Sequence, residues 1–231
     1  MHNIIKLLSI FSKEDFLNKF YFVGGSALAY YLNHRISYDI DLISFEKLDY
    51  KKLLSLNIKL DGKYIPDPNE SAFRINTGEN LKEYKMIFNI KGIKVEFFYP
   101  NDPIRLAILE KYKNKFNTIN GIKILDLRGV AELKLLVLFR RNKIRDLFDV
   151  LVLLEKNILD IDTIDKYTAI EYDKTFIEYI ENFKDDGSES LDFNSENEYN
   201  YFNKIKNKED FLKEKIINLY LQKVLNAQNK T

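Results

Sequence analysis

The period of the hydrophobic positions changes along the chain. Ile4, Ile5, Leu7, Leu8 and Phe11 recur at helical spacing, and the aromatic and β-branched run Phe20-Tyr-Phe-Val23 follows, so a helix is predicted to lead into a short strand. Gly24-Gly25 breaks that strand, and Ser26 opens a short helix reaching Leu32. Residues 38–43 alternate polar and apolar at period two, the pattern of a half-buried strand. Residues 49–56 read as helix. Residues 63–69 read as a loop, because Pro66 and Pro68 each remove a donor and restrict the residue before them. Three runs, 72–76, 84–90 and 93–99, read as an antiparallel meander, the last two joined by Lys91-Gly92, and the meander stops at Pro100. Beyond it the period lengthens. Residues 127–141 and 144–154 carry apolar side chains three and four apart, and 209–226 are amphipathic, so the second half is predicted to be mostly helical.

These elements predict an α/β (α+β) architecture, with a small mixed sheet flanked by helices over residues 1–125 and a helical domain over 126–231. A length of 231 residues accommodates one large domain or two small ones, and no internal repeat suggests a solenoid. No basic residue occurs between Lys184 and Lys204, whereas Asp185, Asp186, Glu189, Asp192, Glu196 and Glu198 do, with Gly187 and several serines and asparagines among them. The region 185–203 is therefore expected to be a mobile acidic loop rather than a binding element.

Composition removes several chemistries. The 36 basic and 35 acidic residues leave a formal net charge of +1, so global charge names no partner. The absence of cysteine excludes disulfides, thiolate metal sites, iron–sulfur clusters and cysteine nucleophiles, and fits a reducing cytoplasm, the expected location. With His2 and His34 as the only histidines, a multi-histidine zinc site is excluded, and a serine–histidine triad would have to rest on His34. The longest stretch without charge or histidine, 20–33, contains Gly-Gly and falls short of the roughly 20 apolar residues of a spanning helix, so no membrane partner is expected. Lys6 interrupts the N-terminal apolar run and Glu14 and Asp15 follow it, which reads as an ordinary helix and not a signal peptide.

The informative segment is Val23-Gly24-Gly25-Ser26, followed, with thirteen residues between Gly25 and Asp39, by Asp39-Ile40-Asp41-Leu42. An acid-x-acid pair alone carries little, since 35 acids in 231 residues give about five such pairs by chance, and Asp160/Asp162 and Glu196/Glu198 are others. Context sets the first pair apart. Residues i and i+2 of a strand share a face, so Ile40 and Leu42 can anchor the core while Asp39 and Asp41 project together. Two carboxylates about 5 Å apart repel by roughly 3 kcal/mol at an effective dielectric of about 20. A divalent cation reverses that sign, and Mg²⁺ (or Mn²⁺) suits one or two carboxylates plus substrate phosphates. A strand–Gly-Gly-Ser–helix turn lets backbone N–H groups approach a phosphate closely. Together the two motifs describe a metal–triphosphate site. Glu96, between Val95 and Phe97, could complete a two-metal cluster, take the proton from an attacking hydroxyl, or simply face solvent on an edge strand.

The stretch GGSALAYYLNHRISYDIDL resembles the AbiEii-type toxin nucleotidyltransferases of bacterial abortive-infection and toxin–antitoxin systems, within the DNA polymerase β-like nucleotidyltransferase superfamily. That family's pattern is Gly-Gly-Thr-Ala-Leu, then His-Arg-x-Ser-x-Asp-x-Asp, a helical Lys-Leu-x-Ala-Leu-x-x-Arg and an (Arg/Lys)-Asp-x-x-Asp helix. Here Lys134-Leu-Leu-Val-Leu-Phe-Arg-Arg141 and Arg145-Asp-Leu-Phe-Asp149 follow in the same order. Ser26 replaces the commoner threonine and keeps the hydroxyl, and Val137 stands where alanine is usual. The resemblance covers residues 22–43 and 132–154. It implies a nucleotidyltransferase domain followed by a helical one, Asp39 and Asp41 as metal ligands, Gly24, Gly25 and Ser26 as the phosphate cradle, Lys134 as a nucleotide-phosphate contact and Asp146 as an active-site acid. It also implies an NTP substrate, a tRNA 3′ end as acceptor and control by an antitoxin.

Each of these residues also has a plainer reading. His34 and Arg35 serve either as substrate contacts or as a structural hold on their loop. Lys134 could snorkel to water from an apolar helix. Asp146 and Asp149, one turn apart, could pair with Arg140, Arg141 or Arg145 and do no chemistry. The cluster Arg140, Arg141, Lys143 and Arg145 is either a field for triphosphate or RNA backbone or a solvated helix end. Tyr30 or Tyr31, among fifteen tyrosines and seventeen phenylalanines that are mostly core, could stack a base. Two further functions remain open, namely transfer to a small-molecule or protein hydroxyl, and a non-catalytic partner-binding module.

Overall fold

Seven short strands, β1 (Tyr21–Val23), β2 (Ile40–Ile43), β3 (Lys63–Ile65), β4 (Lys85–Ile90), β5 (Ile93–Phe98), β6 (Phe116–Ile119) and β7 (Ile122–Leu125), form one mixed sheet in the order β3-β4-β5-β2-β1-β7-β6. The computed structural model describes residues 2–188, 190–193 and 195–229. Two units emerge from it, Met1–Tyr30 with Ser37–Gly129, and Tyr31–Ile36 with Val130–Thr231.

In the first unit, alternation along the strands separates two faces. Met86, Phe97, Leu42 and Phe22 stand in register across β4, β5, β2 and β1, with Ile124 on β7 beside Phe22, and all are buried. Phe97 is the hub of this face, with ring centroids 5.4 Å from Phe20 and 5.9 Å from both Phe11 and Phe88. Phe11 closes α1 (His2–Phe11), so the predicted N-terminal amphipathic helix delivers its apolar stripe here. On the other face, Ile87, Glu96, Asp41 and Val23 form one row, and Lys85, Phe98, Ile43, Tyr21 and Lys123 form the next. Helices α2 (Gly24–Leu32), α3 (Tyr50–Lys59), α4 (Glu70–Thr77) and α5 (Pro103–Tyr112) complete the surroundings of the sheet.

The second unit is built from α6 (Leu127–Arg140), which enters it at Val130, and from α7 (Ile144–Glu155), α8 (Ile161–Glu171), α9 (Phe176–Asn182), α10 (Glu196–Asn203) and α11 (Lys208–Gln228). Leu147, Val150, Leu151 and Leu154 of α7 are buried at three- and four-residue spacing, which makes α7 the central element of this unit.

Three sequence expectations are corrected. Residues 72–76 lie in helix α4 rather than in a strand. Gly78, at φ +72°, caps that helix by donating to the Arg74 carbonyl, and none of its side chains is buried, so nothing rewards a period-two pleat. The meander takes its third strand instead from β3, within the stretch read as a loop; Pro66 stops that edge strand without preventing it. The β6–β7 hairpin, turning at Asn120-Gly121 with both residues at positive φ, lies in a region where no strand is predicted. Finally, the stretch 185–203, expected as a loop, contains the helix α10, and within its unit Asp185 accepts from the Ile144 N–H, Asp186 N–H donates to the Asn142 carbonyl, and the Asp192 carbonyl accepts from Ile36. Glu189, one of the acids of that stretch, lies outside the described residues.

Phe97→Ala is expected to destabilise the protein by about 3–5 kcal/mol through the cavity left among Phe11, Phe20 and Phe88, as measured by urea unfolding.

Candidate active site

The Gly-Gly motif sits where β1 becomes α2. Gly24 has φ +77°, a conformation that glycine adopts without a Cβ penalty. A Cβ built there would lie 1.9 Å from Asp41 Oδ2 and 2.8 Å from its Cγ, so the carboxylate of Asp41 fills the space that any other residue at position 24 would need. Register explains the meeting, because Val23 pairs with Asp41 across the antiparallel β1–β2 ladder and Gly24 is the next residue. On the other side of β2, Asp41 pairs in parallel with Glu96, which brings the two carboxylates to neighbouring strands on one face, about 4.8 Å apart at their Cα atoms. Strand β5 lies between β2 and β4, so Glu96 is not on an edge strand; both acids are half-buried. Asp39 precedes β2 by one residue and is also half-buried.

Gly25 stands in the first turn of α2, where backbone N–H groups lack intrahelical partners. Ser26 is 1% exposed and donates its hydroxyl to Ser37 Oγ at 2.8 Å, which directs it into the unit's interior. The Ser26 hydroxyl is thus engaged inside the unit, and what the turn can offer a ligand is its amides.

Carboxylate oxygens, with no imidazole or thiolate, form a donor set suited to a hard cation such as Mg²⁺, and the Gly24 cradle leaves Asp41 room to serve it. Among the described residues, no three His, Asp or Glu side chains are grouped closely enough to hold a metal by themselves.

The remaining predicted residues gather in the second unit around α7. Asp149, fully buried, accepts from Arg35 Nε at 2.6 Å and Arg35 Nη2 at 2.8 Å, meets His34 Nε2 at 2.7 Å, and lies 2.9 Å from Lys134 Nζ. Lys134 also donates to Asp146 at 2.7 Å, and Arg141 donates to the same carboxylate at 2.7 and 3.1 Å. The His34 ring stacks on Phe148 with centroids 5.9 Å apart. At 4% exposure Lys134 does not snorkel; its ammonium lies between two carboxylates. Arg140 instead pairs with Glu171, and Lys143 donates to Ser188. Tyr30 is exposed and Tyr31 is half-buried.

Burial alone would push the Asp149 carboxyl up, but the Lys134 and Arg35 charges outweigh it and hold the group well below the ordinary carboxylate range. Asp146 is likewise lowered, burial opposing and the charges of Lys134 and Arg141 prevailing. Asp149 is the member of this network that carries no assigned role in the sequence motif, although its position one turn after Asp146 on an apolar helix was a usable signal.

Comparison with known proteins supplies a family and a fold. The family described as nucleotidyl transferase AbiEii toxin, type IV TA system, matches residues 6–198. An uncharacterized protein of Aquifex aeolicus is 26% identical over 155 residues, 67% of each chain. Two Helicobacter pylori structures share the fold at 18% identity. One, described as a candidate nucleotidyltransferase, has a TM-score of 0.56 and covers 100% of this chain and 96% of its own. The other, JHP933, has a TM-score of 0.53 and covers 99% and 94%.

Gly24→Ala is expected to destabilise by more than about 1 kcal/mol and to displace Asp41, because the backbone is strained for a side chain and the carboxylate must move; thermal melting checks the first and a crystal structure the second. Because the folded-state values of Asp146 and Asp149 lie below those of the unfolded chain, their contribution is complete above about pH 4 and is lost as pH falls further. Asp149→Asn should lose about 3–5 kcal/mol at neutral pH by removing the buried carboxylate charge that Arg35 and Lys134 share, and should flatten the acid limb of the stability–pH curve.

Proposed function

The chain belongs to the AbiEii family of nucleotidyl transferase toxins, and from that membership we propose that it moves a nucleoside monophosphate from an NTP to the 3′-terminal hydroxyl of a tRNA, with an antitoxin opposing its action. The observation that carries this reading is the fit of Asp41 against Gly24 beside Glu96, which joins a carboxylate pair to a helix-opening glycine turn within one unit. Asp39, Asp41 and Glu96 would contribute oxygen ligands, completed by the phosphate oxygens of the NTP, to Mg²⁺, which when bound would neutralise phosphate charge and polarise the α-phosphorus. Amides at the start of α2, Gly25 among them, would hold the triphosphate oxygens and stabilise charge on the departing pyrophosphate. Glu96, half-buried on the same face as Asp41, would accept the proton of the attacking hydroxyl in this reading. Lys134 and Asp146, engaged with each other and with Asp149 and Arg141, act in this reading by fixing α6 and α7 within their own unit. No helix among the described residues is long and apolar enough to cross a membrane.

Incubating the protein with total RNA, Mg²⁺ and each radiolabelled NTP in turn is expected to label RNA of tRNA size. Asp41→Asn should reduce labelling at least about 100-fold. Asp39→Ala should fold and melt no lower than the parent, since it relieves carboxylate repulsion. No labelled RNA with any of the four NTPs would overturn the RNA acceptor, and label on a protein or small molecule of the lysate would relocate it.

A further inference from the structure

Residues 110–125 of the first unit hold four lysines, Lys111, Lys113, Lys115 and Lys123, against one acid, Glu110, a formal +3 within a chain whose total is +1. They occupy the end of α5, the turn after it and the β6–β7 hairpin. Lys113 is paired with Glu110. Besides Lys111, 5.0 Å from the Tyr112 centroid, two others are held over aromatic rings: Lys115 lies 5.7 Å from the Tyr112 centroid, and Lys123 sits 5.2 Å from Tyr21 and 5.1 Å from Phe116. A ring orients an ammonium without cancelling its charge, so these cations remain available to an anion. Phe116 is 40% exposed, and residues 114–118 are exposed throughout.

Register relates this patch to the carboxylates. Thr118 pairs with Lys123, Lys123 with Tyr21, and Tyr21 is two residues from Val23, the partner of Asp41. Lys123, Tyr21, Asp41 and Glu96 therefore share one face of the sheet. Strand spacing and rise put the Lys123 Cα about 12 Å from that of Asp41, within reach of one bound strand.

We propose that this lysine–aromatic face docks the single-stranded end of an acceptor RNA, with Lys115 and Lys123 on phosphates and Phe116 stacked on a base. The inference rests on the RNA-acceptor reading above. It is tested by fluorescence anisotropy of a short, unstructured oligoribonucleotide titrated with the full chain at several salt concentrations. Replacing Lys115 and Lys123 together by glutamine should weaken binding and make the plot of log affinity against log salt shallower by about 1.4, the share of two single-strand phosphate contacts. Phe116→Ala should weaken binding about five- to 150-fold and leave that slope unchanged. Lys115→Arg, which keeps the charge, should bind like the parent, as should Lys51→Gln on α3; melting curves check that each variant folds. Parent-like affinity and slope in folded Lys115/Lys123 and Phe116 variants would overturn the docking face while leaving RNA labelling untouched. Binding lost in those variants, from a parent that labels no RNA, would uphold the face and remove the acceptor reading instead.

Discussion

An oxygen of Asp41 occupies the volume that a side chain at position 24 would claim, and the candidate site is organised around that exclusion. Because the glycine yields the space, β1 can turn directly into α2 while the acid on the adjoining strand stays beside the turn. Because β2 pairs with β5 in parallel on its other side, Glu96 joins the same row. Three consequences of sheet register thus coincide at one point: a bend, a carboxylate pair and the N-terminus of a helix. Each is ordinary alone. Their coincidence gives the first unit a place where a polyanion and a hard cation can be held together.

The second unit solves a different electrostatic problem. Two aspartates without solvent exposure are tolerable only because Lys134, Arg35 and Arg141 surround them, with His34 completing the hydrogen bonding of Asp149. Such an arrangement is poor evidence of net stabilisation, since apolar replacements can serve as well. It does impose geometry: each cation has its place fixed by a carboxylate, and removing either acid leaves positive charges crowded against one another. The motif residues of this unit are thus bound to each other, and their spacing reflects that mutual constraint.

Much of this was legible in the chain. The amphipathic N-terminal helix, the period-two stretch around Asp41, the β4–β5 pair and helices α6, α7 and α11 all follow from hydrophobic spacing, which is strong wherever a face is buried. Helix α4 was not legible, because all its side chains lie at least partly in water and spacing then carries no information. The β6–β7 hairpin escaped because three of the four residues of β6 are exposed and polar residues interrupt it, although Asn120-Gly121 was a turn signal. At the site, Gly24 and the Asp41–Glu96 neighbourhood were readable from local patterning. The partnership of Arg35 with Asp149 was not, because 114 residues separate them and no periodicity reaches that far.

That same separation bears on how the molecule is made. Tyr31–Ile36 belongs to the second unit although it leaves the ribosome long before the rest of that unit. Arg35 must wait for the synthesis of more than a hundred further residues before its carboxylate exists, and a fragment starting after Gly129 would carry Asp149 without the guanidinium that answers it. Neither unit is a contiguous stretch of polypeptide, so dissecting this protein by simple truncation would sever a buried ion pair rather than a linker.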